Sequence, residues 1–263
     1  SDRLGERQAY VVSATLRTVV EGELGQVAAM WASADLARAE ANRLRIPYGI
    51  LVLDTLTLPW RAMAGRFAEC DELMDRIDRL DEQMSLEEAG QASAEAAIGL
   101  RVWQGRGEES VPVLAAMEAH GAADPEVPSL MPVTALLIVQ LLRAGQREAA
   151  RQHYLEHPID LEPLGWISSL NWGTAAEVAL AMADRPLAAA AYERLAPLAG
   201  RSCSAGSGIA MGPVDGFLAL AAAAVGELEL AAQHADRALE LMAAWEIPLA
   251  AEWLRGQRAQ YGF

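Results

Sequence analysis

The chain has 263 residues, 52% of them hydrophobic, with 36 acidic against 21 basic residues and a net charge of −15. Every basic residue is arginine, so the chain builds neither a Walker A phosphate loop nor a Schiff base, both of which need a lysine amine. A strongly acidic surface repels phosphate backbones, and no nucleic acid partner is expected for this segment.

In chain order, apolar residues recur at helical spacing and predict helices near 8–24 and 27–44, then 48–64 and 67–83, then 87–104 and 108–119. Further pairs are predicted near 130–144 and 147–156, 167–182 and 186–198, 214–225 and 228–244, with a short capping helix near 248–258. Proline and glycine punctuate these segments: Pro47, the Gly121–Pro128 loop, Pro158, Pro163, and the long stretch from Ala199 to Pro213, read as a structural or groove-lining loop. Strand signals are weak. The acids from Glu69 to Glu88 read as a solvated helix face.

The pairs repeat. "VVEGELG" ends at Gly25, "WRAMAG" at Gly65, "LRVWQG" at Gly105, "QLLRAG" at Gly145, "ALAMAD" at Asp184 and "AAAAVG" at Gly226, at spacings of 40, 40, 40, 39 and 42. Such a period signals stacked supersecondary units. Glycine suits the turn because it enters the left-handed region without a Cβ clash, and Asp184 is read as a short polar substitute. Five residues after each turn stands a small residue (Cys70, Ser110, Ala150, Ala189 and Ala231), with Met30 the exception. Seven before it stand Leu58, Ile98, Ile138 and Ala219, while Thr18 and Glu177 break the column. The expectation is one all-α domain over 1–263, an α-solenoid of about six tetratricopeptide-like hairpins plus a cap, with one concave groove.

These units resemble tetratricopeptide repeats, with a longer period. "GPVDGFLALAAAAVGELELAAQHADRALELMAAWEIPLAAEWLR" (Gly212 to Arg255) resembles the last helical units of large actinobacterial regulators, among them the LuxR-type ATP-binding regulators and the bacterial transcriptional activators of secondary metabolism. "LAGRSCSAGSGIAMGPV" is similar to that family's small-residue and glycine loop, and "WRAMAGRFAECDELMDR" to its recurring arginine–alanine–glycine–arginine–phenylalanine unit. The resemblance implies a sensing and docking array, with ATP hydrolysis and DNA binding in other domains.

Chemical motifs are sparse. "HYLEH" (His153 to His157) fits H-x-x-E-H, but a zinc site needs a third ligand, and histidines near a helix C-terminus are favourable without metal, so no metal or other cofactor is expected. "GSGIAMG" (Gly206 to Gly212) misses the dinucleotide spacing, and Cys203 has no base nearby in sequence. "WISSLNWGTAAE" (Trp166 to Glu177) joins tryptophans to polar groups, the mixture that lines ligand sites. The groove candidates are Asp54, Arg61, Arg101, Trp103, Gln140, Ser169, Asn171, Trp172 and Asp215, with Arg61 and Arg101 as a positive strip able to hold a carboxylate.

The expected function is a non-catalytic interaction and effector-sensing module of a bacterial transcriptional regulator, taking a protein segment or small ligand in the groove. A free-standing helical-repeat enzyme or small-molecule-binding protein of a biosynthetic pathway is the alternative. With no apolar run of the roughly 18–20 residues that span a bilayer, a polar N-terminus and two cysteines, a cytoplasmic protein without membrane partners is expected, possible as a homo-oligomer.

Overall fold

A computed structural model describes residues 2–84, 91–123, 133–162, 165–206 and 208–263. The predicted starts of the fifth and seventh helices near 87 and 130, most of the Gly121–Pro128 loop, and Pro163 lie outside the described residues.

Among the described residues the protein is all-α apart from one short hairpin. The helices pair as α1 (Asp2–Glu23) with α2 (Val27–Leu44), α3 (Pro47–Met63) with α4 (Phe67–Met84), and α5 (Gln91–Gln104) with α6 (Val111–Ala123). They continue as α7 (Thr134–Arg143) with α8 (Arg147–Glu156), α9 (Ser168–Met182) with α10 (Arg185–Leu195), and α11 (Val214–Val225) with α12 (Leu228–Ala244). A last helix, α13, runs Pro248–Tyr261, longer than the cap expected from sequence. No described helix is long and apolar enough to cross a membrane.

The turns follow the glycine ladder, with one informative departure. Gly25, Gly65, Gly105, Gly145 and Gly226 all take positive φ, between 70° and 97°. At the fifth turn the left-handed residue is Ala183 (φ 57°), not Asp184. Asp184 is instead the N-cap of α10, its carboxylate accepting a hydrogen bond from the Leu187 amide at 2.9 Å. The Asp184 side chain satisfies an otherwise orphaned helix donor, which offsets the strain of placing alanine in the left-handed region. Counting from Ala183 repairs both registers. The buried small residue five later is Ala188, while Ala189 is exposed. The residue seven earlier is Ala176, fully buried, so Glu177 no longer interrupts an apolar column. Thr18 keeps its buried place by returning its hydroxyl to the Ala14 carbonyl (2.8 Å).

Within the array, first helices touch in series: α1 with α3, α3 with α5, α7 with α9, and α9 with α11. The chain then returns on itself. Trp245, at the end of α12, meets Trp60 of α3 edge-on at 5.7 Å, and α13 also reaches α3. At Gly25 an added Cβ would lie 2.6 Å from the Gly200 carbonyl oxygen and 2.8 Å from the Trp245 ring. Only a residue without a side chain lets the first turn approach the last units this closely.

The Ala199–Pro213 stretch is not a loop but largely an antiparallel hairpin, β1 (Ser202–Ala205) and β2 (Ile209–Pro213), pairing Ala205 with Ile209, Ser204 with Ala210 and Ser202 with Pro213. Every strand residue is buried. The hairpin packs on α1, α3, α5 and α9, so it covers part of the first-helix face on which an open groove is expected from sequence. Its small residues escape a strand reading because they show no alternation: both faces are covered by protein, so neither needs to be polar.

Both thiols are free and buried in this packing. Burial raises the Cys70 thiol to about 11 and raises Cys203 further; Cys203 also donates to the Ser169 carbonyl at 3.2 Å. The native protein is therefore expected to leave both cysteines unmodified by a disulfide reagent at about pH 8, where an ordinary thiol is partly ionised, and to release both only on denaturation. Rapid labelling of either thiol in the folded protein would contradict this packing.

Candidate functional site

Most residues singled out from the sequence hold the fold with their polar groups. Asp54 is fully buried, its carboxylate bound by Arg38 and Arg76. Arg61 lies over the Trp31 ring (4.7 Å) and pairs with Glu69 (3.3 Å), and Arg101 pairs with Glu109 (3.3 Å). The two arginines thus repeat one role in successive hairpins, each bonded to an acid of its own unit's second half. Ser169 pins β1 by donating to the Ser204 carbonyl (2.8 Å) and accepting from its amide (3.2 Å). Asn171 and Trp172 donate to the Asp160 and Leu161 carbonyls, tying the segment after α8 to α9. Asp215 accepts from the Gly200 amide at 2.6 Å. Gln140 is buried beside Gly107, with neither amide atom partnered among the described residues.

Trp103 stands elsewhere. It lines a cavity of about 960 Å³ bounded by the C-terminal ends of α5, α7 and α9, by α8, and by α13 opposite. Its indole N–H donates to the Ala210 carbonyl of β2 at 3.3 Å, which fixes the ring plane. Against that ring lies Arg143, 5.1 Å from the centroid, with Trp253 of α13 on Arg143's other contact at 4.4 Å. Glu177 holds the same guanidinium through two bonds of 2.9 and 2.7 Å. Arg143 and Glu177 are only 9% and 5% exposed, so the pair lies in protein rather than in water. Planar guanidinium chemistry permits this double use: the fork meets the carboxylate edge-on while the faces meet indole rings.

From that fixed floor the wall of α8 rises. Arg147 and Arg151, one helical turn apart, line the cavity and have no carboxylate partner among the described residues. Glu148 and Glu252 also reach the cavity, which therefore offers both signs of charge. Tyr154, Trp253 and Tyr261 supply aromatic surface. Burial raises the Tyr154 phenol to about 12, and Asp184, which accepts its hydrogen bond, adds to the shift. It therefore stays neutral over the physiological range.

Apart from Trp103, sequence reading passes over this site. One signal was present: Glu177 is the lone charged residue in the mostly apolar run "NWGTAAEVALAM", and a buried acid requires a cation. Which cation, and that α13 would complete the wall, depends on contacts between distant units. Compared with known proteins, the chain matches no family model, no curated protein and no solved structure.

Proposed function

We propose that this chain is a non-catalytic binding module whose cavity between α8 and α13 takes a small effector, or the end of a partner's peptide, carrying a carboxylate and an aromatic or apolar body. The observation that carries this reading is the pair Arg147 and Arg151, which line the cavity beside an aromatic wall and have no acid partner among the described residues. The volume lies within the range of about 300–1,000 Å³ usual for small-molecule sites. The lining combines arginine, glutamate and glutamine side chains with tryptophan and tyrosine rings, which supports recognition of a charged group on an aromatic or apolar body. The resemblance of Gly212 to Arg255 to the end units of large bacterial regulators supports a sensing role, in which occupancy biases α13 and is passed to domains that act on nucleotide or DNA.

The test is a panel of aryl carboxylates and aromatic amino acids, followed by tryptophan fluorescence and melting temperature. At least one member is expected to bind saturably and to report through Trp103 or Trp253. Arg147→Ala with Arg151→Ala is expected to weaken it roughly tenfold or more, the value of a lost charge-assisted hydrogen bond. Gly256→Phe, built into open space on α13, is expected to narrow the cavity and weaken binding. A panel without a ligand, or binding indifferent to both variants, removes the cavity from this role.

A further inference from the structure

We propose that Glu118, His153 and His157 form a three-ligand site for a divalent transition metal, zinc first, that ties α6 to the C-terminal end of α8. The sequence supplies two histidines four apart, and the fold supplies what the motif lacks. Glu118 comes from α6, 35 residues before His153, and meets both rings. Its Oε2 lies 3.0 Å from His153 Nε2 and 3.5 Å from His157 Nδ1, and all three ligand atoms fall within 4.8 Å of one another. Tetrahedral zinc with bonds of about 2.0–2.2 Å holds its ligand atoms roughly 3.3–3.5 Å apart, so the cluster is already near the required size.

The surroundings suit a bound cation. The Thr134 hydroxyl donates to the other oxygen of Glu118, which orients the carboxylate and leaves Oε2 for the histidines. Glu118 and His153 are 14% and 18% exposed, and His157 is 43% exposed, so the site is walled on one side and open on the other. The two imidazoles are stacked, 4.1 Å between centroids and 11° between planes. Parallel rings do not aim both lone pairs at one point, so metal entry requires His157 to turn out of the stack. His157 is able to do so: it is the C-cap of α8, in extended backbone and half in water. Glu156 of the same motif is exposed and bonded to Gln152, away from the cluster. The arrangement is therefore a binding and bracing site, not that of a zinc hydrolase.

The experiment uses the full chain, stripped with a chelator and titrated with zinc by calorimetry and with cobalt by visible absorption. One equivalent is expected to bind saturably. Cobalt is expected to show the intense visible bands of low-coordinate N/O ligation. At a hundredfold excess of free zinc over Kd the melting midpoint is expected to rise by roughly 5–10 °C. His153→Ala and Glu118→Gln are each expected to weaken zinc roughly a hundredfold or more, since even second-shell losses reach that scale. His157→Ala, at a half-exposed helix end, tests the site without disturbing the core, with circular dichroism as the check on folding. His234→Ala, outside the cluster and bonded to Tyr192, is expected to leave zinc binding unchanged. Absence of a saturable single equivalent, or equal zinc binding by wild type and His153→Ala/His157→Ala, overturns the proposal.

Discussion

Glu177→Ala is expected to lower the unfolding free energy by about 3–5 kcal/mol, the usual penalty for stranding one member of a buried ion pair. The carboxylate makes two bonds to Arg143, and both groups are nearly excluded from water. Without it the guanidinium keeps its charge, since arginine does not deprotonate in proteins, and among the described residues it keeps the faces of Trp103 and Trp253 as partners. Those contacts are worth about 0.5–2 kcal/mol each and do not replace a bidentate carboxylate. Arg143→Met with Glu177→Leu is expected to recover most of the loss, because a buried pair contributes little net stability over a well-packed apolar one. Urea denaturation of the two single variants and the double variant reads this directly. A loss below about 1 kcal/mol for Glu177→Ala would mean that water reaches the pair. The double variant also separates stability from function: it is expected to fold while changing the cavity floor on which a ligand rests.

The array and its cavity were unequally visible in the sequence, for physical reasons. Helix spans follow from apolar residues three and four apart and from glycines at left-handed turns, both properties of neighbours along the chain. Hence α2, α8, α11 and α12 begin and end where periodicity predicts. The fifth turn misled by one residue because aspartate is plausible both at a left-handed position and as an N-cap. The side chain's bond to Leu187 decides for the second. Features that depend on distant units were hidden. Nothing local to Trp245 indicates Trp60, and nothing local to Arg143 indicates Trp253, which lies 110 positions further on. The polar groove candidates show the same limit. Ser169, Asn171 and Trp172 were rightly unusual, but their hydrogen bonds close on backbone carbonyls of the segments they anchor. A polar group in a first helix is equally consistent with a ligand and with a loop to be tied down, and only the partner distinguishes them.

The seating of the hairpin gives the second large effect. Gly99→Ala and Gly173→Ala are each expected to destabilise by about 1–3 kcal/mol, the range for overpacking a filled interior. At Gly99 of α5 an added Cβ would lie 2.5 Å from the Gly208 carbonyl oxygen, and at Gly173 of α9 it would lie 2.4 Å from Cys203 Sγ and 3.2 Å from the Phe217 ring. Both positions are helical, where alanine ordinarily stabilises relative to glycine by roughly 0.5–1 kcal/mol, so the sign of the effect isolates the contact from propensity. Gly99 is expected at the upper end, since a backbone carbonyl has no rotamer by which to yield, and moving it lifts the turn between β1 and β2. Trp103 donates to Ala210 in the next strand, so the same substitution is expected to alter its fluorescence and the cavity it lines. Gly216→Ala is the control: its added Cβ would meet the mobile end of Met242 at 3.6 Å, an ordinary contact, and the helix gain is expected to remain. Should Gly99→Ala and Gly173→Ala stabilise the protein as Gly216→Ala does, the hairpin does not rest against α5 and α9, and the closure of the array through it is wrong.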